Sequence, residues 1–183
     1  FLNVSWQNKM FILKEVSKAL SFLHSVNIMH FDIKPENIII SSSFLGEQLV
    51  VYSVKVIDFG AAHCGKSYDA SVFGFKGTVG YVAPEMARQE TKIKKSADVW
   101  SFAFLLYAMT TGLGIPLQDS NAKVGDFQNA ISKIDLYLQN NPIEWQEDFI
   151  DFTSDMFAEK PRHRPSMEII ASVFENRFCC LAE

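Results

Sequence analysis

The chain has 183 residues, 48% hydrophobic and 21% charged, which suits one domain with a substantial core and an ordinary globular balance. Its net charge of −4 gives no electrostatic case for nucleic acid or an anionic membrane as partner. Three cysteines, Cys64, Cys179 and Cys180, cannot make an even disulfide framework, which predicts a reducing, cytoplasmic setting.

In chain order, Met10, Leu13, Val16, Leu20 and Leu23 recur at steps of three and four, with Lys9, Lys14, Glu15 and Lys18 among them. That spacing predicts an amphipathic helix over 7–24, stopped near Asn27 by a left-handed residue. A loop follows, His30-Phe31-Asp32-Ile33-Lys34-Pro35-Glu36-Asn37, crowding a carboxylate, an ammonium and a carboxamide together. An apolar strand over 38–40 and a β-branched strand over 51–57 are expected to form a hairpin, with 41–48 as its turn and a tolerated surface insertion. Residues 58–85 are glycine-spotted, polar and without sustained period, as suits a mobile segment. Gly74, Gly77 and Gly80 lack the preceding strand that a nucleotide-binding glycine loop requires.

The run 99–109 is apolar except for Ser101. It is too short for a membrane span of about 20 residues. It predicts instead a helix from Asp98 to Gly112, apolar on all faces and therefore central. Further helices are expected over 124–138, using Val124, Phe127, Ile131, Ile134 and Leu138, and over 145–158, with Phe149, Ile150, Phe152, Met156 and Phe157 inward. Ser166, with Glu168 in the first turn, caps a last helix through Phe174. Cys179 and Cys180 have no metal-ligand spacing and read as unreactive cysteines rather than palmitoylation sites. No signal peptide, internal repeat or second domain boundary is visible. A start at Phe1 rather than Met suggests a piece of a longer chain.

Three motifs occur in order: the 30–37 loop with Asn37 five residues after Asp32, then Asp58-Phe59-Gly60, then Ala83-Pro84-Glu85. Together they resemble the large lobe of a eukaryotic protein kinase, over nearly the whole chain. The resemblance implies an α+β, mainly helical, kinase-like fold: residues 1–183 would be the C-terminal lobe only, a helical bundle with a small β-hairpin carrying the catalytic and metal-binding loops. It implies transfer of the ATP γ-phosphate to a protein hydroxyl. Asp32 would be base and positioner, Lys34 would contact the γ-phosphate, and Asn37 and Asp58 would hold Mg²⁺. Lys34-Pro35-Glu36 favours serine and threonine acceptors over tyrosine.

Residues 77–85 resemble the end of a serine/threonine activation segment. The Thr78 hydroxyl would bridge Asp32 and Lys34, and Gly80, Tyr81 and Val82 would face the substrate residue after the acceptor. Glu85 would pair with Arg164 of Pro161-Arg162-His163-Arg164-Pro165. Asp98 would bond the catalytic-loop backbone, and His30 would be a packed loop residue rather than a catalytic one.

Two departures stand out. Phe31 occupies the place where many kinases carry an arginine that binds an activation-segment phosphate, so activity should not depend on phosphorylation through this residue. The glycine-rich loop, the strand lysine and its helix glutamate all belong to the small lobe, which would precede Phe1. These 183 residues alone should therefore bind ATP weakly and transfer little phosphate. His30-Phe31-Asp32, the long hairpin and the stretch 57–63 are similar to the death-associated branch of the calmodulin-dependent kinases. The rival reading is a non-catalytic kinase-like scaffold, which has no need of Asp32, Lys34, Asn37 and Asp58 together.

Overall fold

The computed structural model describes residues 4–117 and 123–178; Cys179 and Cys180 lie outside them. Helix α1 spans Trp6–Ser25. Ser5 caps it, its hydroxyl accepting from the Asn8 N–H at 3.3 Å, and Asn27 lies just beyond its end with φ 59°. Its inward face, Met10, Leu13, Val16 and Leu20, is buried as the spacing predicts. Lys9 departs from the expected polar face. It is buried, its ammonium donating to the Thr110 carbonyl at 3.1 Å and lying 5.1 Å from the centre of the Tyr137 ring. A long aliphatic stem lets lysine pack while its head finds a carbonyl.

The central helix, which we label α4, spans Ser96–Thr111, and every residue from Ala97 to Thr110 is buried. It has no polar face to offer water, so the other helices cover all of it. Gly112, at φ 71°, ends it in the left-handed conformation that lacks a Cβ penalty. Around it lie α5 (Phe127–Asn140), α6 (Gln146–Met156) and α7 (Met167–Val173). Trp100 meets Phe157 at 5.1 Å, Phe157 meets Phe104 at 4.7 Å, and Phe102 meets Phe174 at 5.9 Å between ring centres. Edge contacts of this kind add about 0.5–1.5 kcal/mol each beyond burial.

Two further expectations need correction. Val124 is not part of α5, because Asp126 caps that helix through the Asn129 N–H; Val124 instead forms a β-bridge with the backbone at Gly80 and Tyr81. Likewise 41–48 is not a turn. Strands β2 (Ile38–Leu45) and β3 (Gln48–Val56) pair along nearly all of it, and the turn is only Gly46-Glu47, with Gly46 at φ 62°. Serines suggest a loop by composition, but here the partner strand supplies their backbone bonds. A bulge between Ser41 and Ser42 bends the ladder. The hairpin is also pinned: the Asn8 amide donates to the Leu49 carbonyl at 2.6 Å and accepts from the Val51 N–H at 3.2 Å.

A second pair, β1 (Ile28–Met29) with β4 (His63–Cys64), is antiparallel too. The loop 30–37 joins β1 to β2, and the loop 57–62 joins β3 to β4. Pairing β1 with β4 and β2 with β3 therefore clamps both loops at both ends and sets them side by side. Beyond β4 come two single-turn helices, α2 (Ala70–Phe73) and α3 (Pro84–Ala87). Among the described residues there are seven α-helices and two two-stranded sheets, and no helix is long and apolar enough to cross a membrane.

Candidate active site

The loop 30–37 is held from beneath. Phe31 and Ile33 are buried, whereas Asp32 and Lys34 between and after them stay partly exposed. Asp98, fully buried in the first turn of α4, accepts from the His30 N–H at 2.9 Å and the Phe31 N–H at 2.7 Å. The His24 ring lies 2.8 Å from the same carboxylate. A carboxylate with several such bonds fixes backbone that has no regular structure of its own. Phe31 needs this support, for it sits at φ 65°, a strained value for a bulky residue.

Asp32, Lys34, Asn37 and Thr78 form one hydrogen-bonded cluster. The Thr78 hydroxyl donates to Asp32 Oδ1 at 2.6 Å and accepts from Lys34 Nζ at 2.7 Å. Lys34 Nζ also lies 2.9 Å from Asp32 Oδ2. Asn37 Nδ2 donates to the Asp32 carbonyl at 2.7 Å and to Asp32 Oδ2 at 3.0 Å. Burial pushes the Asp32 carboxyl up, but the Thr78 hydroxyl, then Lys34 and Asn37, outweigh it and hold the group below its ordinary range. Asp32 is therefore an ionised acceptor at neutral pH, suited to aligning a hydroxyl and taking its proton late rather than to stripping it early.

Asp58 joins none of these bonds. Its backbone is left-handed, φ 62°, and its Oδ1 accepts from the Gly60 N–H at 3.1 Å. It is tied to the cluster through the preceding residue. The Ile57 N–H donates to the Asn37 carbonyl at 2.9 Å, and its carbonyl lies 3.1 Å from His30 Nε2. Phe59 is half exposed, its ring centre 5.0 Å from that of His30. His30 is thus packed between the two loops.

The donor set suits a hard cation. Both acceptors facing Asn37 Nδ2 fix the amide's orientation, which leaves its Oδ1, like Asp58 Oδ2, without a hydrogen bond among the described residues. Mg²⁺ takes oxygen ligands and commonly only one or two from protein, the rest from phosphate and water. The described residues contain no cluster of three His, Cys, Asp or Glu that could hold a metal.

Gly77, at φ 98°, carries the later segment across the loop. A Cβ there would collide with the Phe31 carbonyl oxygen and with Val82. Gly80 accepts from the Gly125 N–H at 3.1 Å and donates to the Lys123 carbonyl at 2.9 Å. Tyr81 is half buried, and desolvation, followed by the Glu36 charge, pushes its phenol up. Glu85 and Arg164 make a bidentate pair at 2.8 and 2.9 Å, both side chains all but inaccessible. Three contributors escaped sequence reading: His24 against Asp98, Ser101 donating to the Tyr81 carbonyl at 2.8 Å, and Tyr68, whose ring lies 5.3 Å from that of Phe31. No local pattern marks them, since each acts on a partner distant in sequence.

A model of the protein kinase domain family matches residues 3–177. The chain belongs to the protein kinase family. It is 30% identical over 159 residues to serine/threonine-protein kinase 17A of Oryctolagus cuniculus, covering 86% of this chain and 37% of that protein. To ribosomal protein S6 kinase alpha-2 of Homo sapiens it is 35% identical over 113 residues, 62% of this chain and 14% of that protein. To mitogen-activated protein kinase kinase kinase 11 of Rattus norvegicus it is 27% identical over 164 residues, 88% of this chain and 18% of that protein. This kinase-family chain thus spans well under half the length of these relatives.

Proposed function

We propose that the chain is the large, C-terminal lobe of a serine/threonine protein kinase and carries the residues that move the γ-phosphoryl group of MgATP to a protein hydroxyl. The observation that carries this reading is the Lys34–Thr78–Asp32–Asn37 cluster, mounted on backbone that Asp98 fixes. Phosphoryl transfer asks chiefly for an aligned nucleophile and compensation of negative charge. Asp32 orients the acceptor hydroxyl and accepts its proton. Lys34 brings a positive charge to the transferring group and, through Thr78, stays registered with Asp32. Asn37 and Asp58 are the residues that would hold Mg²⁺, which when bound neutralises phosphate charge. Gly80 and Tyr81 form the backbone platform beside the acceptor site.

Serine and threonine are favoured as acceptors by Lys34-Pro35-Glu36 and by the serine/threonine kinase among the relatives. The death-associated branch rests on sequence resemblance alone. A scaffold reading is less well supported, because a non-catalytic module has no use for an ionised, hydrogen-bonded Asp32. The test is transfer of labelled γ-phosphate to a protein substrate by the full-length protein, set beside Asp32→Asn and Asp58→Ala. Each substitution should lower kcat by roughly 10²–10⁴. Equal turnover in Asp32→Asn would refute the assignment.

A further inference from the structure

A second concave surface lies away from the Asp32 cluster. It is a groove of about 1230 Å³ between the end of α1, the segment joining α3 to α4, and the turn before α7. Its lining carries Lys66, Lys92, Lys94, Lys95, Lys160 and Arg162, besides Arg164, against Glu85, Glu90 and Glu168. The groove is therefore basic on a chain whose net charge is −4. Two of the three carboxylates are already used, Glu85 by Arg164 and Glu90 by Arg88. Among the described residues none of the six outer cations has a carboxylate partner; Lys95 donates to the Asn27 side chain and Arg162 to the His163 ring.

The fold builds this concentration deliberately into one wall. Ile93 pairs with Tyr68 as an antiparallel bridge, with bonds of 2.8 and 2.9 Å, and is buried. With side chains alternating along extended backbone, burying Ile93 turns its neighbours Lys92 and Lys94 outward, and both are exposed. Lys66 stands two residues before Tyr68, in the bend that follows β4. Lys160 and Arg162 join the lining from a distant part of the chain, on either side of Pro161, where the short turn Pro161–His163 begins.

We infer that this groove docks an extended peptide segment rich in aspartate and glutamate. Six unpaired cations held at one concave surface repel one another, and a polyanionic ligand relieves that repulsion. The lining argues against a single-stranded nucleic acid and a membrane surface. It has no exposed aromatic ring on which bases could stack, and a recessed groove cannot meet a flat bilayer along its floor. The outer cations are nearly all lysines, point charges on flexible stems that pair with carboxylates without imposing one bidentate geometry. Arg164 is buried and engaged by Glu85, which leaves Arg162 as the one guanidinium among the six outer cations. The groove also touches the site's supports, since His24 and Glu85 both line it. The inference stands on charge and shape and does not depend on the chain's catalytic activity.

The test is fluorescence anisotropy of the chain with a labelled peptide of about eight residues carrying clustered Asp and Glu, beside its Asn/Gln counterpart. At about 0.05 M salt the acidic peptide should bind and its counterpart should not, and binding should weaken steeply by about 0.5 M. The exposed double substitution Lys92→Glu/Lys94→Glu should weaken binding at least about tenfold with an unchanged thermal midpoint, while Lys55→Glu, on β3 outside the groove, should leave affinity unaltered. Unchanged affinity in the double variant would overturn the assignment. So would tighter binding of an equally charged phosphopeptide, a single-stranded oligonucleotide or anionic vesicles.

Discussion

Arg164→Met is the most informative perturbation of this fold. Arg164 links three parts of the chain that are far apart in sequence. Its guanidinium pairs with Glu85 at 2.8 and 2.9 Å, donates to the Ala158 and Ser96 carbonyls at 2.9 Å each, and lies 5.0 Å from the centre of the Trp100 ring. The two side chains are 0% and 2% exposed, so removing the cation leaves Glu85 charged and dry. Stranding one member of a buried pair costs about 3–5 kcal/mol. Loss of the ring contact adds about 0.5–2 kcal/mol. Against a typical domain stability of about 5–15 kcal/mol, that is a large fraction. At about 2–4 °C per kcal/mol for a chain of this size, the pair alone implies a fall in midpoint of roughly 6–20 °C. Urea and thermal denaturation followed by circular dichroism would measure it, alongside Glu85→Leu and the double variant. The double variant should lose much less than the two single losses added together, because neither charge is then stranded. A loss below about 1 kcal/mol in Arg164→Met, the range of exposed pairs, or strict additivity in the cycle, would refute the reasoning.

Gly77→Ala should destabilise the chain by more than about 2 kcal/mol and disturb the Asp32–Thr78 contact, whereas Gly46→Ala, also at positive φ but in open space, should cost only about 1 kcal/mol; chemical denaturation of both separates collision from backbone preference. Despite burial, the bonds from Thr78, Lys34 and Asn37 hold the Asp32 carboxyl below its ordinary range. Its contribution to stability is therefore complete above about pH 5 and is lost as pH falls through the lower folded value. The difference in urea midpoint between the chain and Asp32→Asn should be flat from about pH 6 to 8 and shift against the native chain below about pH 4. A flat difference down to about pH 2 would contradict the hydrogen-bond pattern. Phosphatase treatment of the full-length protein should leave its phosphate transfer unchanged, because Phe31 is buried against Tyr68 and offers no phosphate-binding charge. Asp98→Ala should strand the His30 and Phe31 N–H groups and lower transfer severely, with kcat falling more than KM rises.

Much of this protein is legible along the chain because the relevant signals are local. A helix with five apolar residues at three- and four-residue steps has only one face to bury, and a helix apolar all round can only be central. The order of the three motifs was enough to name the family and the residues to watch. Tertiary structure decided the rest, where the partner is remote. Serines 41–43 became strand because β3 lay opposite, Val124 left its helix to bridge Gly80, and Lys9 went inside because the Thr110 carbonyl awaited it. Likewise, the bond that does most to offset burial and hold the Asp32 carboxyl low comes from Thr78, 46 residues away, added to those of the nearby Lys34 and Asn37. Nearest-neighbour chemistry writes the elements; electrostatics between distant elements sets what their side chains do.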